Sequence, residues 1–216
     1  MNYSLLEAGL RQLGIPNEGG LVQEKLKRYI KELELWNKKI NLVKASGEEL
    51  IREHILDSLS AYPFIKKRQP DRVLDVGSGA GLPGIPLAIA MPEVQFHLAE
   101  RSAKRVTFLQ NAVLAIALGN VHVEHSDVAQ IKDTYSMIVM RAFKELDTIL
   151  SFCLPILKPE GIIAAYKGKK KRVEEELSHI DYIREKYPLN ISIQEIEVPF
   201  MKKDRCLVCI KFAGIS

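Results

Sequence analysis

The sequence predicts an α/β protein in which helices cover both faces of a mostly parallel sheet, preceded by a helical segment. From Arg72 onwards, short apolar runs alternate with longer stretches of helical periodicity, as in parallel strands joined by helices. A glycine-rich turn joins the first predicted strand to the next helix. The last two predicted strands are separated only by a short connection that contains a proline, which predicts an antiparallel hairpin at the sheet edge.

Length and composition are ordinary for a globular protein. The 216 residues, 47% hydrophobic and 27% charged, suffice for one large domain or a domain with an extension. We divide the chain into a helical extension, 1–65, and a sheet-bearing domain, 66–216. Glu7 and Arg11 interrupt the first residues, which therefore lack the apolar core of a signal peptide. We expect a cytoplasmic protein that does not associate with membranes.

The three cysteines are expected to be core thiols. Cys153 lies in an apolar run of helical character, whereas Cys206 and Cys209 form a CxxC without a second pair. On a strand, side chains three positions apart point to opposite faces, so these two are poor joint metal ligands. The sequence therefore predicts no metal site.

Three helices are predicted ahead of the first strand, over 3–13, 21–40 and 47–61. In the second and third, apolar side chains recur every three or four residues, the spacing of one buried helix face. Gly14 ends the first helix and Pro63 ends the third.

Three polar residues can meet on one surface of the third helix. His54 and Ser58 are four positions apart and Asp57 lies between them. We expect these side chains to tie the helix to the sheet rather than to act in catalysis, because no nucleophile with an orienting base is evident.

Seven strands alternate with helices along the rest of the chain. The predicted strands are 73–76, 94–99, 121–124, 135–140, 161–166, 191–198 and 205–212, and the predicted helices are 82–91, 103–118, 145–157 and 171–186. Polar residues stand at or just after the carboxyl ends of the first four strands: Asp75, Glu100, Asp127 and Arg141. Because ligands of open α/β sheets bind beyond the carboxyl ends of the strands, we expect these four to converge on one rim.

The turn after the first strand offers two interpretations. The run Gly79–Gly84 matches the dinucleotide pattern GxGxxG, with Glu100 about twenty residues further on. However, Asp75 stands two residues before Gly77 and would repel a pyrophosphate. S-adenosylmethionine, which carries a sulfonium and an ammonium but no phosphate, fits these carboxylates better. Glycine suits either ligand, because it permits positive φ and close backbone approach.

Positive charge is concentrated in the later part of the chain. The formal net charge is only +4, and Lys/Arg and Asp/Glu cancel over residues 1–62. Clusters that flank the predicted strand ends favour a polyanionic partner. They are Lys66 to Arg68, Arg101 with Lys104 and Arg105, Lys167 to Arg172, and Lys202 and Lys203 with Arg205.

These motifs together resemble the bacterial RsmG (GidB) family, whose members methylate N7 of a guanine in small-subunit ribosomal RNA. The run GxGxGLPGIP with the upstream HxxDSL is the most specific part, and the resemblance covers nearly the whole chain. Its pieces are Trp36-Asn37 with Asn41-Leu42, His54 with Asp57-Ser58-Leu59, Asp75 to Pro86, Lys104-Arg105-Val106 with Phe108-Leu109, Arg141-Ala142, Lys167-Gly168, and Arg205 with Leu207-Val208.

The resemblance implies a class I S-adenosylmethionine-dependent methyltransferase with a Rossmann-like seven-stranded sheet and a final antiparallel hairpin. It implies S-adenosylmethionine as cofactor, S-adenosylhomocysteine as product, and 16S ribosomal RNA or the 30S subunit as partner of a monomer. The residues expected to bind the cofactor are Asp75, Gly77, Gly79, Leu82, Glu100, Asp127, Val128, Ala129 and Arg141. Glu100 would accept both ribose hydroxyls, and Asp127 would face the adenine amino group.

Arg141 is the residue we expect to act in catalysis. Guanine N7 has an in-plane lone pair and needs no base, so alignment of the reactants should supply the rate. Arg141 would donate to guanine O6 or to the methionine carboxylate, and the alternative is a structural ion pair with Asp75 or Glu145. Basic residues would hold the phosphates that flank a swung-out guanine: Lys38, Lys39, Lys167, Lys169, Lys170, Arg172 and Arg205.

Two other functions remain open at this point. An NAD(P)-dependent oxidoreductase would use the glycine pattern and Glu100, but no substrate acid or base pair is evident near the fifth and sixth strands. A non-catalytic RNA-binding assembly factor would keep the pocket without the reaction.

Overall fold

The computed structural model describes residues 3–141 and 146–213, and within them it contains a single seven-stranded sheet. Across the sheet the strands lie in the order β3-β2-β1-β4-β5-β7-β6. They are β1 (Arg72–Val76), β2 (Gln95–Glu100), β3 (Val121–His125), β4 (Tyr135–Arg141), β5 (Leu157–Lys167), β6 (Leu189–Glu195) and β7 (Cys206–Phe212).

The sheet topology confirms the predicted fold class. Strands β1 to β5 are parallel, whereas β7 runs antiparallel to both β5 and β6. The last two strands therefore form the expected hairpin, with β6 at the edge. Strand order reverses between β1 and β4, and such a switch point opens a crevice at the carboxyl ends of the strands.

Ten α-helices lie within the described residues. They are α1 (Ser4–Gln12), α2 (Leu21–Ile40), α3 (Gly47–Leu50), α4 (Asp57–Leu59), α5 (Tyr62–Lys66), α6 (Gly84–Ala90), α7 (Ala103–Ile116), α8 (Leu146–Cys153), α9 (Lys170–Leu177) and α10 (Asp181–Lys186). A π-helical turn, Ile51–Leu56, joins α3 to α4.

Two predicted helices differ from the structure. The helix expected over 47–61 contains the π-helical turn in its middle. The helix expected over 171–186 is broken between α9 and α10. At the break the Ser178 hydroxyl donates to the carbonyl of Glu175 at 2.8 Å, a local bond by which serine competes with the continuing helix.

Two hydrophobic cores cover the two faces of the sheet. Val73 and Leu74 are neighbours on β1 and belong to different cores, because successive strand residues point to opposite faces. The helices of residues 4–66 pack on the first face, where Leu26 and Ile55 share a core with Phe96. The division of the chain at residue 65 stays a prediction.

The three cysteines are buried and unoxidised, as expected: Cys153, Cys206 and Cys209. In the described ranges, the structure has no helix whose length and apolar character would let it cross a membrane.

Candidate functional site

A cavity of about 550 Å³ opens at the carboxyl ends of β1 and β2, a volume typical of small-molecule sites. Its wall brings together five of the residues predicted to bind a cofactor: Gly77, Glu100, Asp127, Val128 and Ala129. Arg101, Arg105 and Phe152 also line it. Periodicity could not have identified Phe152, because its place in the wall depends on how α8 packs across the sheet.

Glu100 is fixed by backbone donors. It is the last residue of β2 and its side chain is buried. Its Oε2 atom accepts from the N–H of Gly79 at 2.9 Å, and its Oε1 atom accepts from the N–H of Ser102 at 2.8 Å. Since each carboxylate oxygen has two lone pairs, both oxygens keep one acceptor position for a ligand hydroxyl.

Asp127 begins a short 3₁₀ turn at the other side of the cavity. Its Oδ1 atom accepts from the N–H of Ala129 at 3.1 Å, which orients the carboxylate beside the backbone of Val128. The buried Val128 side chain and Phe152 add apolar surface to the same wall. Apolar walls with one or two directed acceptors suit a purine ring and its amino group.

Asp75 is the fourth residue of β1 and is completely buried. Its Oδ2 atom accepts from the N–H of Gly84 at 2.9 Å. A Cβ at Gly84 would come within 2.6 Å of that oxygen, so the contact requires glycine there. Burial raises the pKa of Asp75 to about 7. In the described part of the chain, its buried Oδ1 atom has no hydrogen-bond partner.

The glycine turn has two amides that are already bound to carboxylates. A phosphate needs the free amides of such a turn and helix start, but the amides of Gly79 and Gly84 already donate to carboxylates. The unpartnered oxygen of Asp75 is a position where a ligand ammonium could donate. These residues therefore fit a nucleoside that carries positive charge, as S-adenosylmethionine does.

Not every predicted cofactor residue reaches this cavity. Among the described residues, Asp75, Gly79, Leu82 and Arg141 are outside its lining. Gly79 adjoins it through its bond to Glu100, and Leu82 is buried in the turn that leads to α6.

Arg141, at the end of β4, contacts the helical segment ahead of the sheet. Its Nη1 atom lies 2.9 Å from Oδ2 of Asp57 and also donates to the carbonyls of Glu53 and His54. Among the described residues its ion-pair partner is Asp57 and not Asp75, one of the two structural partners that the sequence left open. Glu145 and Ala142 lie outside the described residues.

Asp57 is shared by two arginines. It is 3% exposed, and its Oδ1 atom lies 2.9 Å from Nε of Arg205 on the connection between β6 and β7. The carboxylate therefore joins Arg141 and Arg205. Sequence reasoning missed this arrangement, because nothing in the spacing of these residues relates them.

His54 is a neutral acceptor beside Arg141. Its Nδ1 atom lies 3.0 Å from Nη2 of Arg141, and because a guanidinium only donates, Nδ1 carries no proton. Burial and the neighbouring Arg141 lower the pKa of His54 to about 4. The Tyr166 hydroxyl donates to the carbonyl of Ser58 at 2.6 Å. His54 thus ties the segment to the sheet, as the sequence predicted, whereas the Ser58 hydroxyl donates to the carbonyl of His54 within the segment itself.

The residues predicted to bind RNA occupy different places. Lys169, Lys170 and Arg205 line a second cavity of about 890 Å³ at the carboxyl end of β5. Lys167 donates to Glu176 at 2.7 Å. The remaining three are exposed, Arg172 on α9 and both Lys38 and Lys39 at the end of α2.

Comparison with known proteins gives matches along almost the whole chain. The family described as "GidB: rRNA small subunit methyltransferase G" matches residues 22–203. A protein of Borrelia hermsii named "Ribosomal RNA small subunit methyltransferase G" is 39% identical over 98% of this chain and 100% of its own length. The protein of the same name from Treponema pallidum is 39% identical over 96% of this chain and 93% of its own length.

Solved structures share the fold at low sequence identity. An O-methyltransferase from Bacillus cereus matches 85% of this chain and 90% of its own, with a TM-score of 0.60 and 14% identity. A putative O-methyltransferase from Klebsiella pneumoniae matches 86% of this chain and 90% of its own, with a TM-score of 0.59 and 13% identity. At such identities the likeness shows the fold alone.

Proposed function

The chain belongs to the GidB family, rRNA small subunit methyltransferase G, and on this premise we propose that it transfers a methyl group from S-adenosylmethionine to N7 of a guanine in small-subunit ribosomal RNA. The observation that carries the proposal is the cavity at the ends of β1 and β2, with Glu100 and Asp127 in its wall. In addition, the N–H groups of Gly79 and Gly84, which a pyrophosphate would need, already donate hydrogen bonds to the carboxylates of Glu100 and Asp75.

Different residues of the cavity bind the ribose and the adenine of the cofactor. Glu100 accepts the two ribose hydroxyls with its remaining lone pairs, and hydrogen bonds to a charged group contribute about 1.5–3 kcal/mol each. Asp127, with the backbone of Val128 and Ala129, receives the adenine amino group. Val128 and Phe152 cover the purine ring.

The glycine turn holds the methionine part. Gly77 and Gly79 allow the ligand to approach the backbone, and Leu82 excludes water from that side. The unpartnered oxygen of Asp75 receives the ammonium. When bound, the cofactor supplies a methyl group on a positively charged sulfur.

Arg141 positions the reacting groups rather than moving a proton. Guanine N7 attacks through its own lone pair, so alignment is the main requirement and is worth up to about 7–11 kcal/mol. A guanidinium has five donors, and the described bonds to Asp57, His54 and the two carbonyls leave Nε–H and one N–H of Nη2 for other acceptors. These donors serve guanine O6 or the methionine carboxylate.

The RNA partner is held by basic residues, three of which line the cavity at the carboxyl end of β5. Lys169 and Lys170 bind phosphates beside the reacting guanine, and Lys38, Lys39, Lys167, Arg172 and Arg205 complete the predicted set. The enzyme acts in the cytoplasm as a monomer, on 16S ribosomal RNA or on the assembled small subunit. Light scattering of the purified protein checks the monomer.

The decisive experiment is methyl transfer to unmodified small-subunit ribosomal RNA, with the product mapped by mass spectrometry. We expect a single N7-methylguanine that depends on S-adenosylmethionine. Thermal shift with S-adenosylmethionine and NADPH provides the control, and only the first should stabilise the protein. Stabilisation by NADPH alone, or cofactor binding without methylation of either naked RNA or subunits, contradicts the proposal.

A further inference from the structure

The connection between β6 and β7 contains a turn with an unusual residue in it. The N–H of Met201 donates to the carbonyl of Val198 at 3.1 Å, which closes a β-turn with Pro199 and Phe200 at its centre. Phe200 has a φ of +63°. Proline followed by positive φ is the type II arrangement, in which the third position favours glycine or asparagine. A phenylalanine there is a local outlier.

The side chain of Phe200 is only half-buried, so its burial offsets this conformation incompletely. It is 49% exposed. On either side of it, Val198 is buried in the first core and Met201 packs against that core. The turn is therefore anchored at both ends, and it holds an aromatic ring at the surface. Strained backbone positions that the surrounding structure holds in place cluster at functional sites.

The surface around Phe200 has an excess of basic side chains, and once two ion pairs are counted, four exposed lysines stand against three exposed carboxylates. Phe200 lines the cavity at the carboxyl end of β5 together with six basic and three acidic residues. Two of the basic residues are neutralised in ion pairs, Lys203 by Glu53 and Arg205 by Asp57. Four exposed lysines remain, which are Lys169, Lys170, Lys171 and Lys202.

This surface lies at the same edge of the sheet as the cofactor cavity. The carboxyl end of β5 pairs with Cys206, which follows the connection. In the sheet order, β4 with Arg141 at its end separates β5 from β1 and the glycine turn. A strand of nucleic acid bound at Phe200 could therefore pass Arg141 on its way to the cofactor.

We propose that Phe200 stacks on an unpaired base of the RNA substrate next to the guanine, while the surrounding lysines bind the adjoining phosphates. Exposed aromatic rings in a positively charged groove are how proteins hold single-stranded nucleic acid. The inference rests on the proposed function and assigns the partner of this surface. It makes Phe200 a positioning residue for the substrate, outside the reacting atoms.

The test compares Phe200→Leu, Phe200→Gly and Phe200→Trp in methyl transfer to naked, unmodified small-subunit ribosomal RNA. We expect Phe200→Leu and Phe200→Gly to raise KM for RNA about tenfold, with kcat unchanged, and Phe200→Trp to restore the wild-type KM. Phe200→Gly should also melt at a higher temperature than the wild type, because glycine relieves the positive φ. A purely structural role predicts the opposite change in stability.

Tyr182→Leu is the matched control. Tyr182 is an aromatic residue on α10, 61% exposed, and it does not line the basic cavity. The KM of Tyr182→Leu for RNA should equal that of the wild-type protein. The proposal is overturned if Phe200→Leu keeps the wild-type KM, or if Phe200→Leu impairs methylation of assembled subunits but not of naked RNA, since the partner would then be a ribosomal protein.

Binding of a labelled oligoadenylate separates this inference from the proposed function. Fluorescence anisotropy should show that Phe200→Leu binds single-stranded oligoadenylate about tenfold more weakly, with no change for its duplex with oligouridylate. If the wild type methylates no RNA, the proposed function fails while this measurement still reports on Phe200. Equal weakening for both probes overturns stacking.

Discussion

The Nη1 atom of Arg141 lies 2.9 Å from Oδ2 of Asp57, and this contact connects the end of β4 to the helical segment that precedes the sheet. The side chains are 14% and 4% exposed, so the pair is largely removed from water. Because Asp57 also neutralises Arg205, one buried carboxylate supports two arginines at the edge of the sheet where ligands bind.

Replacing Asp57 should destabilise the protein. In Asp57→Asn, Arg141 and Arg205 lose their shared counter-ion, and breaking a buried pair by removing one partner costs about 3 kcal/mol. Urea unfolding measures the change. The control is Glu93→Gln, which removes the half-exposed ion pair with Lys66 and should cost less than about 1 kcal/mol. If both variants lose the same free energy of unfolding, the buried Asp57 pairs stabilise the protein no more than an exposed ion pair does.

Replacing Arg141 by lysine should slow methyl transfer without unfolding the protein. Lysine keeps the charge but lacks the planar fork, so it cannot contact Asp57, His54 and the substrate together. We expect the single-turnover rate to fall ten- to hundredfold, the range of one charge-assisted hydrogen bond. Calorimetry then assigns the lost contact: weaker S-adenosylmethionine binding indicates the methionine carboxylate, and unchanged binding indicates guanine. Wild-type turnover would remove Arg141 from the reaction.

Glu100→Ala should weaken the binding of S-adenosylmethionine ten- to hundredfold in calorimetry, because the variant loses charge-assisted bonds to the ribose. Glu185→Gln, an exposed substitution on α10, serves as the control and should bind normally. Glu100 also holds the amides of Gly79 and Ser102. The melting temperature of the ligand-free variant therefore separates a displaced turn from a lost contact, and unchanged affinity would exclude Glu100 from the site.

Asp75 should make stability depend on pH. Its pKa is raised by burial from 3.8 to about 7, so the folded protein holds a proton between these values that the unfolded chain has released. The contribution of Asp75 is therefore complete below about pH 4 and is lost as the pH rises through 7, by up to about 4 kcal/mol.

Asp75→Asn cannot lose a proton and should lack this dependence. His54 acts in the opposite direction, since its lowered pKa of about 4 makes stability rise with pH up to its ordinary value of 6.5. The difference between the wild-type and Asp75→Asn free energies of unfolding removes the effect of His54 and should change most steeply between about pH 4 and 7. Parallel curves over that range would show that Asp75 is ionised throughout it in the folded protein.

Methylation of RNA should weaken steeply with added salt. Each phosphate contact releases condensed counter-ions, so removing one lysine should reduce the slope of log KM against log salt by about 1. We expect this for Lys169→Gln and for Lys170→Gln. Lys211→Gln, exposed near the other end of β7, should keep the wild-type slope. A flat response of the wild-type protein to salt would argue against phosphate contacts.

The residues at the strand ends were predictable because the chain places them there directly. Glu100 and Asp127 follow apolar runs, and parallel strands bring such ends to one edge. The glycine turn was predictable for the same reason, since its conformation and its contact with Asp75 depend on neighbouring positions.

The support around Arg141 was not predictable from patterns. Asp57 is separated by 84 positions from Arg141 and by 148 from Arg205. Such contacts arise only when the helical segment packs against the finished sheet. The sequence indicated that His54 and Asp57 share a surface, but not which residues they would meet.

Some element boundaries were displaced by tertiary contacts. Strand β5 begins at Leu157, four residues before the predicted start, although Pro159 and Gly161 disfavour a central strand. Leu157 already pairs with Tyr135, and the register between β4 and β5 shifts before it continues at Ile162. The irregular pairing accommodates both residues, and no local pattern signals it.

Because β7 lies between β5 and β6 in the sheet, β6 can join the sheet only together with β7 or after it. While the ribosome is still making β7, β6 has no partner strand within the sheet, and Arg205 has not yet reached Asp57. The edge where RNA would be handled is therefore incomplete until β7 has joined the sheet.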